Sequence, residues 1–330
     1  MRTVVVIGAG AAGLSAAGRL AAAGVGVTVL DKGRGVGGRL ATRRIGAARL
    51  DHGAQFFTSR SEEFTGLTRA WLGRGVAREW CRGFRQPADG HPRFVGASGM
   101  TDLAKDLASG LDVRTSTRVE SVSAAPDGRW VATLEGGRTL VGAGGDPLRA
   151  DAVISTAPVP QTLEMLGPAV TDTRARRALG AISYEPTLAG LLVLAEPSAL
   201  PHPGGVQPDR GALTWIGDNQ AKGISPVPAV TVHAAGRGAT DSWDGPEEAI
   251  LASLEAAARP LIGPAPVLER QLARWRYATP SVSHDARCLV AVDGGRPLVC
   301  AGDAFGEAKV EGAVRSGWAA AEAVLDRLAP

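Results

Sequence analysis

The pattern that most constrains this chain lies at its N-terminal end. Residues 4–7 form an apolar, β-branched run, which is typical of a buried parallel strand, and glycines at positions 8, 10 and 13 complete a Gly-x-Gly-x-x-Gly sequence directly after it. Small residues from 14 to 23 predict a helix, and residues 27–30 predict a second strand that Asp31 closes. A strand, glycines, helix, strand and acid in this order are typical of a dinucleotide-binding unit.

Each residue of this unit has a physical task. Gly8 permits the tight turn, Gly10 lets the backbone approach a pyrophosphate, and Gly13 lets the helix pack closely on the strand. The helix N-terminus then faces the phosphates. Asp31 can accept hydrogen bonds from ribose hydroxyls. The unit therefore predicts a bound dinucleotide, without choosing between NAD, NADP and FAD.

A second glycine cluster follows at residues 33–39. No strand precedes it, so it does not open a second nucleotide domain. We interpret it as a loop around the same pyrophosphate, with close backbone approach at Gly37 and Gly38 and the charge of Arg39 nearby. A flexible glycine-rich turn is the alternative.

Composition excludes several classes of protein. A chain of 330 residues predicts about two domains, and a net charge of +3 is too small for a nucleic-acid groove. Three cysteines give no disulfide framework and no zinc site, which favours a reducing cytoplasm. No run of 18 apolar residues predicts a membrane span. Arg19 interrupts the apolar N-terminal stretch, which argues against a signal peptide.

The segments that follow carry a more specific resemblance. Gly37-Gly38-Arg39, followed by residues 51–58 (DHGAQFFT), resembles the amine-oxidase superfamily of FAD enzymes. Within that superfamily the chain resembles the renalases. The middle segments point there: 215–219 with Lys222, then His233, and 274–278. The flavin-binding segments 301–305 and 310–313 agree with the superfamily as a whole. The resemblance spans nearly the whole chain.

The resemblance implies an α/β fold with a Rossmann-type FAD-binding domain and an α+β substrate domain of sheet and helices, similar to amine oxidases and p-hydroxybenzoate hydroxylase. Residues 1–60, 95–159 and 286–330 are predicted to form the FAD-binding domain, and residues 61–94 and 160–285 the substrate domain. FAD is expected to bind noncovalently. An Asp at a strand end can hold the ribityl hydroxyls, and the helix after Gly312 can direct its N-terminus at the flavin N1/C2=O edge. The predicted FAD-binding residues are Gly8, Gly10, Ala11, Ala12, Gly13, Asp31, Lys32, Gly38, Arg39, Gly53, Ala54, Gln55, Val119, Gly302, Asp303, Glu311, Gly312 and Ala313.

The activity that the resemblance implies is oxidation of the 2- and 6-dihydro isomers of NAD(P)H to NAD(P)+, with O2 reduced to H2O2. Hydride transfer needs placement more than a protein acid or base, so no catalytic acid or base and no metal is assigned. The predicted substrate-cavity residues are Gln55, Trp215, Asn219, His233, Trp275 and Tyr277. Taken singly, these aromatics could equally be core residues, and His233 could be structural. Lys222 and Arg276 could meet substrate phosphates, but each taken alone is expected to be a solvated surface residue.

Two other functions stay open at this point. One is an FAD-dependent amine oxidase or desaturase that acts on a small metabolite, and the other is a flavin-bound sensor without turnover. The sequence does not fix the preferred isomer, the physiological electron acceptor or the oligomeric state. It also leaves open whether His52 and His233 contact flavin or substrate.

Overall fold

A computed structural model of the chain describes residues 2–85, 87–142, 144–292 and 296–329. The strands are β1 (Thr3–Ile7), β2 (Gly26–Leu30), β3 (Thr42–Ile45), β4 (Ala48–Asp51), β5 (Ala77–Cys81), β6 (Arg93–Gly96), β7 (Asp112–Arg114), β8 (Val119–Ala124), β9 (Trp130–Leu134), β10 (Arg138–Thr139), β11 (Ala152–Ser155), β12 (Ser183–Leu194), β13 (Gly205–Val206), β14 (Trp215–Asp218), β15 (Ala229–Ala235), β16 (Val267–Val282), β17 (Leu289–Val292) and β18 (Leu298–Cys300). The helices are α1 (Ala11–Ala22), α2 (Glu62–Gly73), α3 (Thr101–Leu107), α4 (Val159–Leu166), α5 (Thr173–Gly180), α6 (Arg237–Ser242), α7 (Glu247–Ile262) and α8 (Lys309–Leu328).

The chain divides into two units. The first holds the chain up to Gly38, then Ala104–Ser183, and the chain from Pro280 onward; the second holds Arg39–Leu103 and Tyr184–Thr279. No described helix is both long enough and apolar enough to cross a membrane.

The first unit is built on a six-stranded sheet of order β17-β18-β11-β1-β2-β7. Its strands are parallel except β17, which runs antiparallel to β18. β1 lies inside the sheet, and Val4 and Val6 are fully buried, which explains the continuous apolar run. α1 and α8 pack very closely, since a Cβ atom at Gly317 would lie 2.1 Å from the Ala12 carbonyl oxygen. A three-stranded sheet of order β10-β9-β8 completes the sheets of this unit.

The second unit is built on a five-stranded sheet of order β13-β14-β15-β12-β16. β15 pairs antiparallel with both β12 and β14. α7 covers one face of this sheet, where Leu254 lies 3.2 Å from the position that a Cβ atom of Gly190 would occupy. Two hairpins, β3-β4 and β5-β6, add to this unit.

The predicted fold class is confirmed: a parallel α/β sheet is joined by separate antiparallel sheets. Some predicted elements are longer in the structure. The last helix begins at Lys309 rather than at residue 314, and β16 runs from Val267 to Val282 rather than over 268–275. Gly312 and Ala313 therefore lie in the first turns of α8.

Contacts divide the chain differently from the predicted domain boundaries. Residues 39–60 and 95–103 group with the second unit rather than with the FAD-binding segments, because Asp51 accepts the Met100 N–H and Thr42 bonds to Thr101. Residues 160–183 group with the first unit, where α4 packs against β8 and α5 against β17. As a statement about independent folding domains, the predicted boundaries stay a prediction.

Candidate functional site

The loop between β1 and α1 forms a cradle for phosphate in the first unit. Gly8 has a φ of +109°, and its N–H donates to the Leu30 carbonyl oxygen at 2.8 Å. A Cβ atom at Gly13 would lie 1.9 Å from the Gly8 oxygen, whereas one at Gly10 would meet nothing closer than the Gly37 oxygen at 3.9 Å. Gly10 is the N-cap residue of α1, and no side chain caps the N–H groups of the first turn. The loop therefore offers backbone N–H groups to an anion.

Asp31 is fixed beside this cradle by the backbone. Its carboxylate accepts the Ala9 N–H at 2.7 Å and the Gly33 N–H at 2.6 Å. Each carboxylate oxygen has a further acceptor site, so Asp31 can still bind ribose hydroxyls. Lys32 is exposed and donates to the Gln161 side chain at 3.1 Å.

The segment after β18 forms the other predicted end of the cofactor site. Gly302 has a φ of +138°, and its N–H donates to the Ser316 hydroxyl at 2.8 Å. A Cβ atom at Gly312 would lie 1.7 Å from the Glu307 oxygen, so only glycine fits there. Glu311 is buried in the first turn of α8. The remaining predicted FAD residues of this unit are buried Ala11, Ala12 and Val119, half-buried Asp303 and Ala313, and exposed Gly38.

These features of the first unit fit the ADP part of FAD. Glycine is required at position 8 by its positive φ and at position 13 by sterics, the start of α1 is open to a pyrophosphate, and a carboxylate stands at the end of β2. The fit rests on backbone geometry, which a Cβ atom would obstruct.

The other predicted FAD residues, Arg39, Gly53, Ala54 and Gln55, belong to the second unit. A Cβ atom at Gly53 would lie 2.1 Å from the Arg39 oxygen, and the Ala54 N–H donates to that oxygen at 2.8 Å. The Arg39 guanidinium donates to the Tyr277 and Ala278 carbonyl oxygens at 3.1 and 3.2 Å. These contacts join the segment after β4 to strand β16.

A buried ion pair holds the centre of this region. The Lys222 ammonium lies 3.1 Å from the Asp51 carboxylate, and both side chains are fully buried. The second Asp51 oxygen accepts the Thr42 hydroxyl at 2.6 Å and the Met100 N–H at 2.9 Å. Burial lowers the pKa of Lys222, and the Asp51 charge opposes that shift. The expectation that Lys222 is solvated is therefore wrong. The sequence did not indicate this burial, because the partner Asp51 lies far from Lys222 in the chain. Arg276 is exposed, with its guanidinium over the Trp243 ring.

The two predicted amide side chains are engaged in the same network. Gln55 donates to the Asp51 and Gly53 carbonyl oxygens at 2.6 and 3.2 Å and accepts from Lys222 at 3.2 Å. Asn219 accepts the Asp51 N–H at 3.3 Å and donates to the Thr231 hydroxyl at 3.0 Å. Both amides therefore serve the framework that holds β4 against the five-stranded sheet.

Two uncharged histidines lie next to this network. The rings of His52 and Trp275 stack with centroids 5.2 Å apart, and the Trp275 N–H donates to the His52 carbonyl oxygen at 2.7 Å. Burial, and then the charge of Arg43, lower the pKa of His52 to about 3. Burial, and then the charge of Lys222, lower the pKa of His233 to about 4, and a hydrogen bond to the His52 backbone opposes that shift. Both rings are neutral at pH 7.

Trp215 and Tyr277 complete the predicted cavity residues. Trp215 is 5% exposed and is the direct cross-strand neighbour of His233. Its ring packs against Phe84, with centroids 4.9 Å apart. Tyr277 packs edge-on against Tyr184. The structure thus brings Gln55, Trp215, Asn219, His233 and Trp275 into one region around β14 and β15. Asp51 and Thr42 were not among the predicted site residues; the available signal was the carboxylate that begins the segment 51–58.

Comparison with known proteins agrees with this fold. Residues 6–71 match the model of the NAD(P)-binding Rossmann-like domain, and residues 70–325 match that of the flavin-containing amine oxidoreductases. A protein from Exiguobacterium sp. 255-15, provisionally classed as a protoporphyrinogen oxidase, is similar with a TM-score of 0.74 at 16% identity, over 99% of each chain.

Two further solved structures are similar. Wild-type putrescine oxidase with bound putrescine gives a TM-score of 0.70 at 15% identity over 99% of each chain. An oxidoreductase from Methanosarcina mazei gives 0.66 at 15% identity, over 97% of this chain and 100% of that one. At these identities the structures establish the fold, whereas the family model covers most of the chain. This protein therefore belongs to the flavin-containing amine oxidoreductase family and is an FAD-dependent oxidoreductase.

Proposed function

We propose that this enzyme oxidises the 2- and 6-dihydro isomers of NAD(P)H, as the renalase resemblance implies. The balanced reaction is dihydro isomer + O2 + H+ → NAD(P)+ + H2O2. FAD, when bound, supplies the two-electron acceptor that links these two half-reactions. The unpaired cysteines, Cys81, Cys288 and Cys300, support a cytoplasmic location for this reaction.

The observation that carries the proposal is the charge state of the region around β14 and β15. His52 and His233 are neutral at pH 7 because burial lowers both pKa values. The Asp51 carboxylate is engaged by Lys222, Thr42 and Met100. This region therefore suits a neutral ring, such as a dihydronicotinamide.

A second nearby carboxylate is engaged as well. Asp218 accepts the Ser198 hydroxyl at 2.6 Å and the N–H groups of Gln220 and Ala221 at 2.8 and 2.9 Å. A cationic amine would thus enter a region where both carboxylates already have partners and where Arg43 and Lys222 add positive potential. Bringing an ammonium into such a site without a counter-charge is costly.

The chain's own residues contribute placement rather than proton transfer. Gly8, Gly10 and Gly13 would hold the cofactor pyrophosphate, and Asp31 its ribose. The Asp51–Lys222 pair fixes the backbone from β4 to Gln55, which holds the His52 carbonyl where Trp275 donates to it. Residues fixed in this way can orient a substrate and exclude water at little cost during turnover.

The parallel sheet of the first unit supplies one dinucleotide-binding β1-α1-β2 arrangement. In the other sheets, every strand pair whose direction is described runs antiparallel. With FAD in that arrangement, a nicotinamide dinucleotide would have to bind outside a β-α-β dinucleotide-binding unit. This supports a substrate that the enzyme recognises mainly by its nicotinamide ring.

Anaerobic mixing tests the proposal. The FAD-loaded enzyme is mixed with 2-dihydro, 6-dihydro and ordinary 4-dihydro NADH, and separately with putrescine and benzylamine, while the flavin absorbance is followed. Rapid bleaching by the 2- or 6-dihydro isomer and slow bleaching by 4-dihydro NADH are expected. Bleaching by an amine, with none by any dihydronicotinamide, would replace the proposal with the amine-oxidase alternative, whose support is the family itself.

A further inference from the structure

Three buried polar atoms without a partner belong to residues of the second unit. They are His52 Nδ1, Trp215 Nε1 and His233 Nε2, and within the described part of the chain only Ser15 Oγ shares this property. Nearly every buried polar group in a folded protein has a partner, so a concentration of exceptions indicates a missing one. Two of them, Trp215 Nε1 and His233 Nε2, belong to residues that are cross-strand neighbours, and they mark a position where a ligand would complete the hydrogen bonding.

The sheet register places two of these side chains side by side. Trp215 on β14 is the direct cross-strand neighbour of His233 on β15, and Gly217 is the neighbour of Thr231 one pair further along. Directly opposite residues project from the same face of a sheet, with Cβ atoms about 5 Å apart. The Thr231 hydroxyl donates to the Asp51 carbonyl oxygen at 2.9 Å, so the segment that follows β4 lies over this face.

The chemistry of the two atoms is opposite. The indole N–H of Trp215 can only donate. The His52 backbone stabilises the protonated His233 ring, and since Nε2 has no partner, we assign this interaction to Nδ1, as donor to the carbonyl oxygen. The neutral ring carries its one proton on Nδ1, which leaves Nε2 as an acceptor.

We propose that Trp215 and His233 together bind the primary carboxamide of a nicotinamide ring, with the indole N–H donating to the carboxamide oxygen and His233 Nε2 accepting from its NH2 group. This inference rests on the proposed function and names the part of the substrate that the site recognises. A carboxylate would offer His233 no donor, and an ammonium would offer Trp215 no acceptor. A primary carboxamide satisfies both atoms at once.

Binding to the oxidised, FAD-loaded enzyme tests this inference without turnover. The probes are NAD+, nicotinic acid adenine dinucleotide, which has a carboxylate, and 3-acetylpyridine adenine dinucleotide, which keeps the oxygen but lacks the NH2. Calorimetry and the flavin difference spectrum give the dissociation constants. NAD+ is expected to bind about tenfold more tightly than either analogue, because each analogue leaves one buried group unpaired.

Three variants assign the two hydrogen bonds. Trp215→Phe should weaken NAD+ binding about tenfold and keep the preference for NAD+ over the acetyl analogue. His233→Asn keeps an N–H for the His52 carbonyl, and it should bind NAD+ and the acetyl analogue equally. Trp80→Phe is the matched control, since the Trp80 N–H already donates to the Pro203 oxygen at 3.1 Å; its binding constants should equal those of the wild type.

The flavin ring also carries neighbouring amide-like donor and acceptor groups. The same variants distinguish binding of the flavin ring from binding of the nicotinamide carboxamide. If Trp215→Phe and His233→Asn release FAD or shift its spectrum while the preference among the three dinucleotides is unchanged, the two atoms bind flavin and the inference is overturned. Equal binding of the three dinucleotides by the wild type also overturns it, even if the 2- or 6-dihydro isomers bleach the flavin. The expected preference without such bleaching would uphold the inference and refute the proposed function instead.

Discussion

Acid should destabilise this protein through His52 and His233. The pKa of His52 is about 3 and that of His233 about 4 in the folded chain, against 6.5 for an ordinary histidine. Between these values the unfolded chain binds protons that the folded chain does not. Because stability rises with pH wherever the unfolded state binds more protons, the folded state loses stability as the pH falls below 6.5.

The magnitude follows from the same values. At pH 5 an unfolded histidine lies about 1.5 units below its pKa, while both folded rings remain almost entirely neutral. At about 1.36 kcal/mol per unit, each histidine lowers the free energy of unfolding by about 2 kcal/mol between pH 8 and pH 5. The two together remove about 4 kcal/mol, a large part of the stability of a typical domain.

Urea denaturation at pH 8 and pH 5, with FAD saturating at both, measures this difference. His233→Asn removes one titrating ring and keeps a donor for the His52 carbonyl, so its loss of stability should be about half that of the wild type. His91→Asn, at an exposed position, shows what the same substitution does away from the site. Equal stability of the wild type at the two pH values would refute the reasoning, as would an undiminished loss in His233→Asn.

Four further predictions concern the cofactor site and the buried pair. Acid precipitation should leave the yellow FAD in the supernatant, and flavin retained in the pellet would contradict noncovalent binding. Gly13→Ala should abolish FAD retention, since its Cβ atom would lie 1.9 Å from a carbonyl oxygen, whereas Gly18→Ala in the same helix meets nothing within 4 Å and should retain FAD. Lys222→Met should lower the free energy of unfolding by about 3–5 kcal/mol, and adding Asp51→Asn should restore part of it. Ala313→Asp, near the start of α8, should lower the flavin reduction potential if that helix end faces N1/C2=O; an unchanged potential with FAD bound would sink this placement.

The nucleotide unit was predictable because its determinants are local. A buried strand, a tight turn, a helix start and a closing acid lie within one short stretch, and each leaves its own residue type in the sequence. Gly8 illustrates this, because its positive φ is set by the turn that it makes. The fold class, which the family resemblance implied, was confirmed.

The centre of the second unit was not predictable in the same way. From the sequence alone, Lys222 is predicted to be a solvated surface residue. Its buried partner Asp51 is 171 residues away in the chain. Gln55 and Asn219 read as groups free to meet a substrate, yet each makes its hydrogen bonds to backbone and side chains that the fold brings from far away. Periodicity and spacing carry no information about such pairings, which arise only when the sheet has formed.

The Asp51–Lys222 pair affects both the stability of the protein and its choice of substrate. The Asp51 carboxylate is paired with Lys222, and both side chains are fully buried. The Lys222 charge in turn is one cause of the lowered pKa of His233, which keeps that ring neutral and its Nε2 an acceptor. A network that fixes the backbone around His52 therefore also sets the charge that the neighbouring groups present. For that reason, replacing Lys222 should change which substrates bind as well as how stable the protein is.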